Sequence, residues 1–135
     1  MTRIESDKSV LQKSDAAIFN FLSNFNNFEK MMPEQVTNWT STEDECKFTI
    51  AGMATLGMKI AEKKPNEYIK VIKNEVAPFD FTLDCNIRKI SENESEVMLA
   101  FNADLNPMLK MMAVKPLTNF LNLLVQKLGQ LDLNA

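Results

Sequence analysis

The stretch that decides the fold is Phe79-Asp80-Phe81-Thr82-Leu83-Asp84-Cys85-Asn86-Ile87-Arg88, the turn Glu92-Asn93-Glu94, and Val97-Met98-Leu99-Ala100-Phe101-Asn102-Ala103-Asp104-Leu105. Phe79, Phe81, Leu83, Cys85 and Ile87 take every second place in the first segment; Val97, Leu99, Phe101, Ala103 and Leu105 do so in the second. Successive side chains of a strand point to opposite faces, so each segment has one apolar and one polar face. That is the pattern of an antiparallel sheet covered on one side only. Both strands run to about ten residues against a usual five or six, and strands of that length curl.

What covers the sheet follows at once. Asn106-Pro107 reads as a helix cap with proline at the first helical position. Met108, Leu109, Met111 and Met112 come next, and Pro116 is expected to break or restart the helix. Leu117, Phe120, Leu121, Leu124, Val125 and Leu128 then recur at helical spacing, with Asn119, Asn122 and Gln126 opposite and Gly129 as the expected stop. From Lys115 to Leu128 this helix would span about 21 Å, enough to lie across a curled sheet.

Upstream, Arg3 to Lys13 reads as one edge strand, Ile4 and Val10 sharing a face and Leu11 on the other. Ser14 and Asp15 open a helix with Ile18, Phe19, Leu22 and Phe25 at helical spacing. Asn24, Asn26 and Asn27 interrupt it, a short second helix carries Phe28, Met31 and Met32, and Pro33 ends it. Strands follow at Val36–Thr42, which bears the only tryptophan, Trp39, and through Cys46, Phe48 and Ile50. Gly52 marks a reversal before Leu56, Met58 and Ile60; after Pro65-Asn66 comes Tyr68–Lys73, whose inward phase the pattern leaves open. The expectation is one α+β domain over residues 1–135, with a curved antiparallel sheet of about six to seven strands wrapped on a long C-terminal helix. A short helix pair follows the first strand.

Composition narrows the function classes. A formal charge of −3, with no run of lysines or arginines, argues against nucleic acid as a partner. No stretch of 18 or more apolar residues exists, so an integral membrane span is not expected. The polar segment Met1–Lys13 lacks the apolar centre of a signal peptide, which points to the cytoplasm. Cys46 and Cys85 are too few and too far apart for a zinc site and read as reduced core thiols. The chain has no histidine, which removes Ser-His-Asp and Cys-His catalysis and histidine-ligated metals together. No cofactor and no metal are implied, and the oligomeric state is not written in the pattern.

The order strand, broken helix pair, antiparallel strands and long C-terminal helix resembles the helix-grip fold of the START-like (SRPBCC) superfamily. Lipid-transfer START domains, polyketide cyclases, the birch pollen allergen and activators of the Hsp90 ATPase share that fold. The resemblance rests on the break between Asn24 and Pro33, the phased pair Phe79–Ile87 and Val97–Leu105, and Asn106-Pro107 before the last helix. It implies an apolar cavity between sheet and C-terminal helix. The chain departs from the pollen-allergen branch at Thr42-Glu43-Asp44-Glu45, where that branch has a glycine-rich loop. A cystatin- or NTF2-like cone is the rival fold, but its long helix usually lies near the N-terminus.

The residues expected to wall such a cavity are Phe48, Met58, Phe81, Leu99 and Phe101 from the sheet, faced by Met108, Met112, Phe120 and Leu124 from the helix. Trp39 is either a lid or stacking residue near its mouth, or a large rim residue covering the sheet. The same stripes would serve equally as a filled core. Function then reads as binding of an apolar small molecule or lipid, as carrier or sensor. The alternatives are an enzyme of the cyclase, dehydratase or hydrolase kind, or a protein-interaction domain resembling Hsp90-ATPase activators. No catalytic residue is nominated: Asp80, Asp84, Glu96 and Asp104 fall on the polar face, and only Glu5, Tyr68 and Lys70 are left with an open phase. Lys110, Lys115 and Lys127 flank apolar residues as in interfacial helices, a pattern that a helix packed into its own fold also gives.

Overall fold

A computed structural model of the chain describes residues 2–51, 54–74, 77 and 79–131. Its strands are β1 (Thr2–Glu5), β2 (Ser9–Leu11), β3 (Val36–Ser41), β4 (Glu45–Ile50), β5 (Ala54–Lys64), β6 (Tyr68–Lys73), β7 (Phe81–Ser91) and β8 (Glu94–Ala103). Helices α1 (Asp15–Leu22) and α2 (Phe25–Phe28), followed by a single 3-10 turn (Glu29–Met31), lie between β2 and β3. Helix α3 (Pro107–Gln130) comes after β8. The strands form one antiparallel sheet in the order β1-β8-β7-β6-β5-β4-β3, with β2 also paired to β8. Gly52, the expected reversal before β5, lies outside the described residues.

The decisive pair behaves as its pattern requires. Phe81, Leu83, Cys85 and Ile87 of β7 are buried, as are Val97, Leu99, Phe101 and Ala103 of β8. They sit in register, Leu83 opposite Phe101 and Cys85 opposite Leu99. Phe79 precedes β7 rather than opening it, yet its ring still packs edge-on against Phe81 and Phe101. The inward side of β6 is settled by Ile69 and Val71, both buried. Tyr68, Lys70 and the exposed Glu5 therefore supply no inward polar group.

The N-terminal strand differs from expectation. It is two strands, and Ile4 and Leu11 are the buried residues while Val10 is 51% exposed. The cause is Ser6. Its N–H donates to the Leu99 carbonyl (2.8 Å), and its Oγ accepts from the Leu99 N–H (2.9 Å), a bond a backbone carbonyl would make in a continuous ladder. The chain leaves the ladder at Asp7, whose N–H donates to Asn122 Oδ1 of α3 (2.7 Å), and rejoins it with the opposite phase. Ser6→Ala strands a buried N–H, so urea denaturation is expected to show a loss of about 1–3 kcal/mol.

Helix starts were encoded locally. Ser14 Oγ accepts from the Ala17 N–H (3.1 Å), Asn24 caps α2 through the Asn26 N–H (2.9 Å), and Asn106 caps α3 through the Leu109 N–H (2.9 Å). Two expectations about α3 do not hold. Pro116 neither breaks nor restarts it, and Gly129 does not end it. Proline at 116 removes one hydrogen bond to the Met112 carbonyl. Both residues are exposed, so water can satisfy that carbonyl and the helix continues. Gly129 serves close packing instead: a Cβ there would stand 2.9 Å from a methyl of Leu11. The helix is therefore about 36 Å long rather than 21 Å.

Candidate ligand-binding site

Between the sheet and α3 lies an enclosed apolar cavity of about 30 Å³. Phe28 and Met32 close it from the helix pair; Phe48, Ile50, Leu56, Met58, Leu83 and Phe101 form its sheet wall; Leu117, Phe120, Leu121 and Leu124 form its roof. Each side chain arrives there by simple periodicity. The sheet residues hold alternate places on β4, β5, β7 and β8, and the roof residues repeat at intervals of three and four along α3. A cavity of this size could admit one water, but with no polar group in its lining it stays dry. Ligand pockets ordinarily measure about 300–1,000 Å³. In this conformation the site is closed and nearly filled.

Five of the side chains expected to wall the pocket meet here: Phe48, Met58, Phe101, Phe120 and Leu124. Phe81 and Leu99 are buried in the same core without lining the cavity; Phe81 stacks on Phe101 with ring centroids 5.0 Å apart. Trp39 stands one layer back, half-buried, its ring stacked on Phe48 at 5.1 Å. Its indole N–H is buried and meets no acceptor among the described residues. Met108 and Met112 are 70% and 68% exposed and turn away from the core. Seven lining residues were not expected there: Phe28, Met32, Ile50, Leu56, Leu83, Leu117 and Leu121. Leu117 lay on the quoted stripe, but nothing local says that the turn after α2 folds back beneath α3.

The bulge that seats Trp39 is local. Thr37 pairs with Thr49 and Thr40 with Lys47, so Asn38 and Trp39 together oppose Phe48 alone. Asn38 takes a left-handed conformation (φ 57°), one that asparagine tolerates better than most residues.

Ionisable groups are kept out of the cavity, whose lining is entirely phenylalanine, methionine, isoleucine and leucine. On the outer face of the sheet a polar cluster is satisfied within itself. Tyr68 Oη donates to Asp84 Oδ1, and Asn102 Nδ2 donates to Asp84 Oδ2 (3.1 Å) and to Thr82 Oγ1 (3.2 Å). Arg3 donates to Asn102 Oδ1 (3.2 Å). Burial of the hydroxyl, and then its bond to Asp84, hold Tyr68 above the usual phenol range. Cys46 and Cys85 are free and buried. Among the described residues no cluster of acids, histidines or cysteines could hold a metal ion, and no helix is long and apolar enough to cross a membrane.

A sheet gripping one long C-terminal helix above a short helix pair is shared by many solved structures. The protein XoxI from Bacillus cereus superposes with a TM-score of 0.78 at 14% identity, covering 100% of this chain and 99% of that one. A START superfamily protein from Mycobacterium smegmatis superposes with a TM-score of 0.72 at 11% identity over 95% and 94% of the two chains. The chain has the START-like, helix-grip fold. A subunit of the Aha1 dimer from Colwellia psychrerythraea shares it too, with a TM-score of 0.69 at 14% identity over 96% and 95% of the chains. No protein-family model matches the sequence, and no curated protein does. At these identities the START-like likeness speaks to fold.

Proposed function

We propose that the protein binds a hydrophobic small molecule or lipid between its sheet and α3, as a carrier or sensor. The observation that carries this reading is the enclosed cavity with a wholly apolar lining, in the place where a START-like fold brings sheet and helix together. Burial of apolar ligand surface, at about 25 cal/mol per Å², would supply the binding energy. Shape and the adaptable side chains of Met32 and Met58 would decide what fits.

Such a ligand requires the cavity to grow about tenfold, to the usual size of a small-molecule site. The first nine residues of α3 do not line the cavity but lead into its roof at Leu117, and they are the least firmly held part of the helix. Pro107 to Lys115 bury only Ala113, whereas Leu117 to Leu128 bury Leu117, Phe120, Leu121, Leu124, Val125 and Leu128. Segments with few buried apolar contacts open at the lowest free energy. Two free thiols suit a reducing compartment, in keeping with work in the cytoplasm. An acid–base enzyme would need an ionisable group in the cavity, and its lining offers none.

Native mass spectrometry of the purified protein is expected to show an extractable apolar molecule, and the delipidated protein should bind a fluorescent fatty-acid analogue. Trp39 supplies an internal reporter, since it stacks on Phe48 in the cavity wall. Its emission should change on saturation. Absence of any co-purifying molecule together with no binding of the analogue would refute the proposal.

A further inference from the structure

Trp39 carries a group that an apolar cavity does not explain. Its indole stacks on Phe48, a wall residue of the cavity, with ring centroids 5.1 Å apart. A phenylalanine would stack there too. What tryptophan adds is an N–H, and its Nε1 is the one buried side-chain nitrogen or oxygen without a partner among the described residues. Nearly all buried donors in folded proteins are paired, because an unpaired one is destabilising. The backbone is also arranged to bring this ring inward. Val36 packs on the core opposite Ile50, so in an unbroken β3 Asn38 and Thr40 would follow it inward and Trp39 would face out. The bulge opposite Phe48 shifts the phase, so that Trp39 joins Phe48 and Ser41 falls opposite Cys46. That shift holds Asn38 in a left-handed conformation and leaves a residue of β3 unpaired. The bulge and the orphaned donor meet on one side chain.

The chemistry of the donor says what kind of ligand it suits. An indole N–H donates and accepts nothing, so its partner must be an acceptor. The cavity beside it has no cation in its lining, and a carboxylate held there would be buried without a counter-charge. A neutral oxygen carries no such penalty. We propose that Trp39 Nε1 donates a hydrogen bond to a neutral carbonyl, ester or hydroxyl oxygen at one end of the ligand, and so fixes which way an otherwise apolar molecule lies. The ligand class is then a neutral oxygen-bearing lipid rather than a fatty-acid anion. This rests on the reading that the cavity opens for an apolar molecule. Phe48 joins the two places: it stands in the cavity wall and against the indole, so enlargement past its ring brings the ligand to Nε1. The oxygen then lies at the β3 edge of the sheet and the hydrocarbon chain beneath α3. Met32, four residues before β3, is the one lining side chain that is only half-buried, which puts the most accessible wall of the cavity on the side where β3 begins.

The single tryptophan makes the test direct, since the 15N-labelled protein gives one indole N–H resonance. Nonane, 2-nonanone and nonanoate at about pH 8, where the acid is ionised, share a chain length and differ at its end. Titration of the core methyl resonances gives each affinity whether or not the indole responds. 2-Nonanone is expected to move the indole proton downfield, as a new hydrogen bond does, and nonane to leave it nearly in place. Nonanoate should bind more weakly than the ketone. Trp39→Phe keeps an aromatic ring against Phe48 and removes only the donor. It should weaken 2-nonanone about 5–30-fold, the ketone oxygen being left buried without a partner, and leave nonane unchanged. The indole shift reads the parent protein alone, so it does not depend on how the variant folds. Three results overturn the inference and leave the apolar-ligand reading standing: equal weakening of nonane and 2-nonanone in Trp39→Phe, an indole resonance that stays in place while 2-nonanone binds, or nonanoate binding more tightly than the ketone. If none of the three molecules binds the parent protein, that reading fails and this inference with it.

Discussion

Replacing Phe28 by alanine is expected to lower the stability of the fold by about 3–5 kcal/mol. Phe28 is 2% exposed, meets the ring of Phe25 edge-on at a centroid distance of 4.9 Å, and closes one side of the cavity under α3. Losing it removes the transfer energy of a buried ring, adds empty space, and forfeits an aromatic pair worth about 0.5–1.5 kcal/mol. A domain of this size has about 5–15 kcal/mol in hand, so the variant should fold with a much lower urea midpoint. Phe28→Leu keeps most of the volume and should cost clearly less. If both substitutions leave the midpoint unchanged, the helix pair is not packed on the core as described.

The same substitution bears on function. The vacated ring volume adjoins the 30 Å³ already present, and a dry apolar cavity enlarged in this way accepts a small hydrocarbon. Benzene should therefore raise the melting temperature of Phe28→Ala and leave that of the parent nearly unchanged, by the mass-action rule that a ligand of the native state stabilises it. A collapse of α3 into the space would show instead as a cost near the low end of the range and no response to benzene.

How far the chain could be read in advance depended on whether a residue's fate was decided by its neighbours in sequence. β7 and β8 were legible because an alternation repeated over ten residues has only one way to bury its apolar face. The caps at Ser14 and Asn106 were legible because each acts within three positions of itself; Asn24, read only as an interruption, caps α2. β1 and β2 were misread because one side chain, Ser6, takes a backbone acceptor's place, and a slip of one residue turns Leu11 in and Val10 out. On β6 the pattern was silent because Tyr68 and Ile72 share one phase, Ile69 and Val71 the other, and all four are apolar or amphipathic. Pro116 was overweighted: its cost depends on whether water reaches the freed carbonyl, which no local pattern records.

The site was legible in half-measure for a related reason. Helical periodicity tells which residues share a face, and Phe120 and Leu124 were placed by it. It does not tell how far along the helix the covering sheet extends. The core takes hold of α3 only from Ala113 onward, so Met108 and Met112 project into solvent with the same composition that would have suited a pocket wall. Trp39 is half-buried and stacked on another ring. It backs Phe48, through a bulge that the sequence marks only by an asparagine.

Raising the pH above about 9 is expected to destabilise the fold through its two buried thiols. Cys46 and Cys85 lie inward on β4 and β7, and burial pushes each thiol up to about 12. The negative charge on Asp84 adds to the rise at Cys85, and a backbone hydrogen bond at Met58 partly offsets it at Cys46. In the unfolded chain both would ionise near the ordinary value of about 9. Between the two values the unfolded state binds fewer protons than the folded one, so stability falls as pH rises, by about 1.4 kcal/mol per pH unit for each thiol. Below about pH 8 the two states hold the same protons and the contribution is flat. The loss should reach about 3 kcal/mol at about pH 10, with Tyr68 adding in the same direction at higher pH, since it too is held above its ordinary range. Urea midpoints measured across this interval give the slope. The variant with Cys46→Ala and Cys85→Ala will start less stable, because it loses core volume, but its slope should be distinctly shallower. Thiol labelling gives an independent reading: at mild pH the buried thiolate fraction is about a thousandfold below that of an open thiol, so the folded protein should react only as fast as it unfolds. Rapid labelling of the native protein, or an equal slope in the variant, would place the alkaline lability elsewhere.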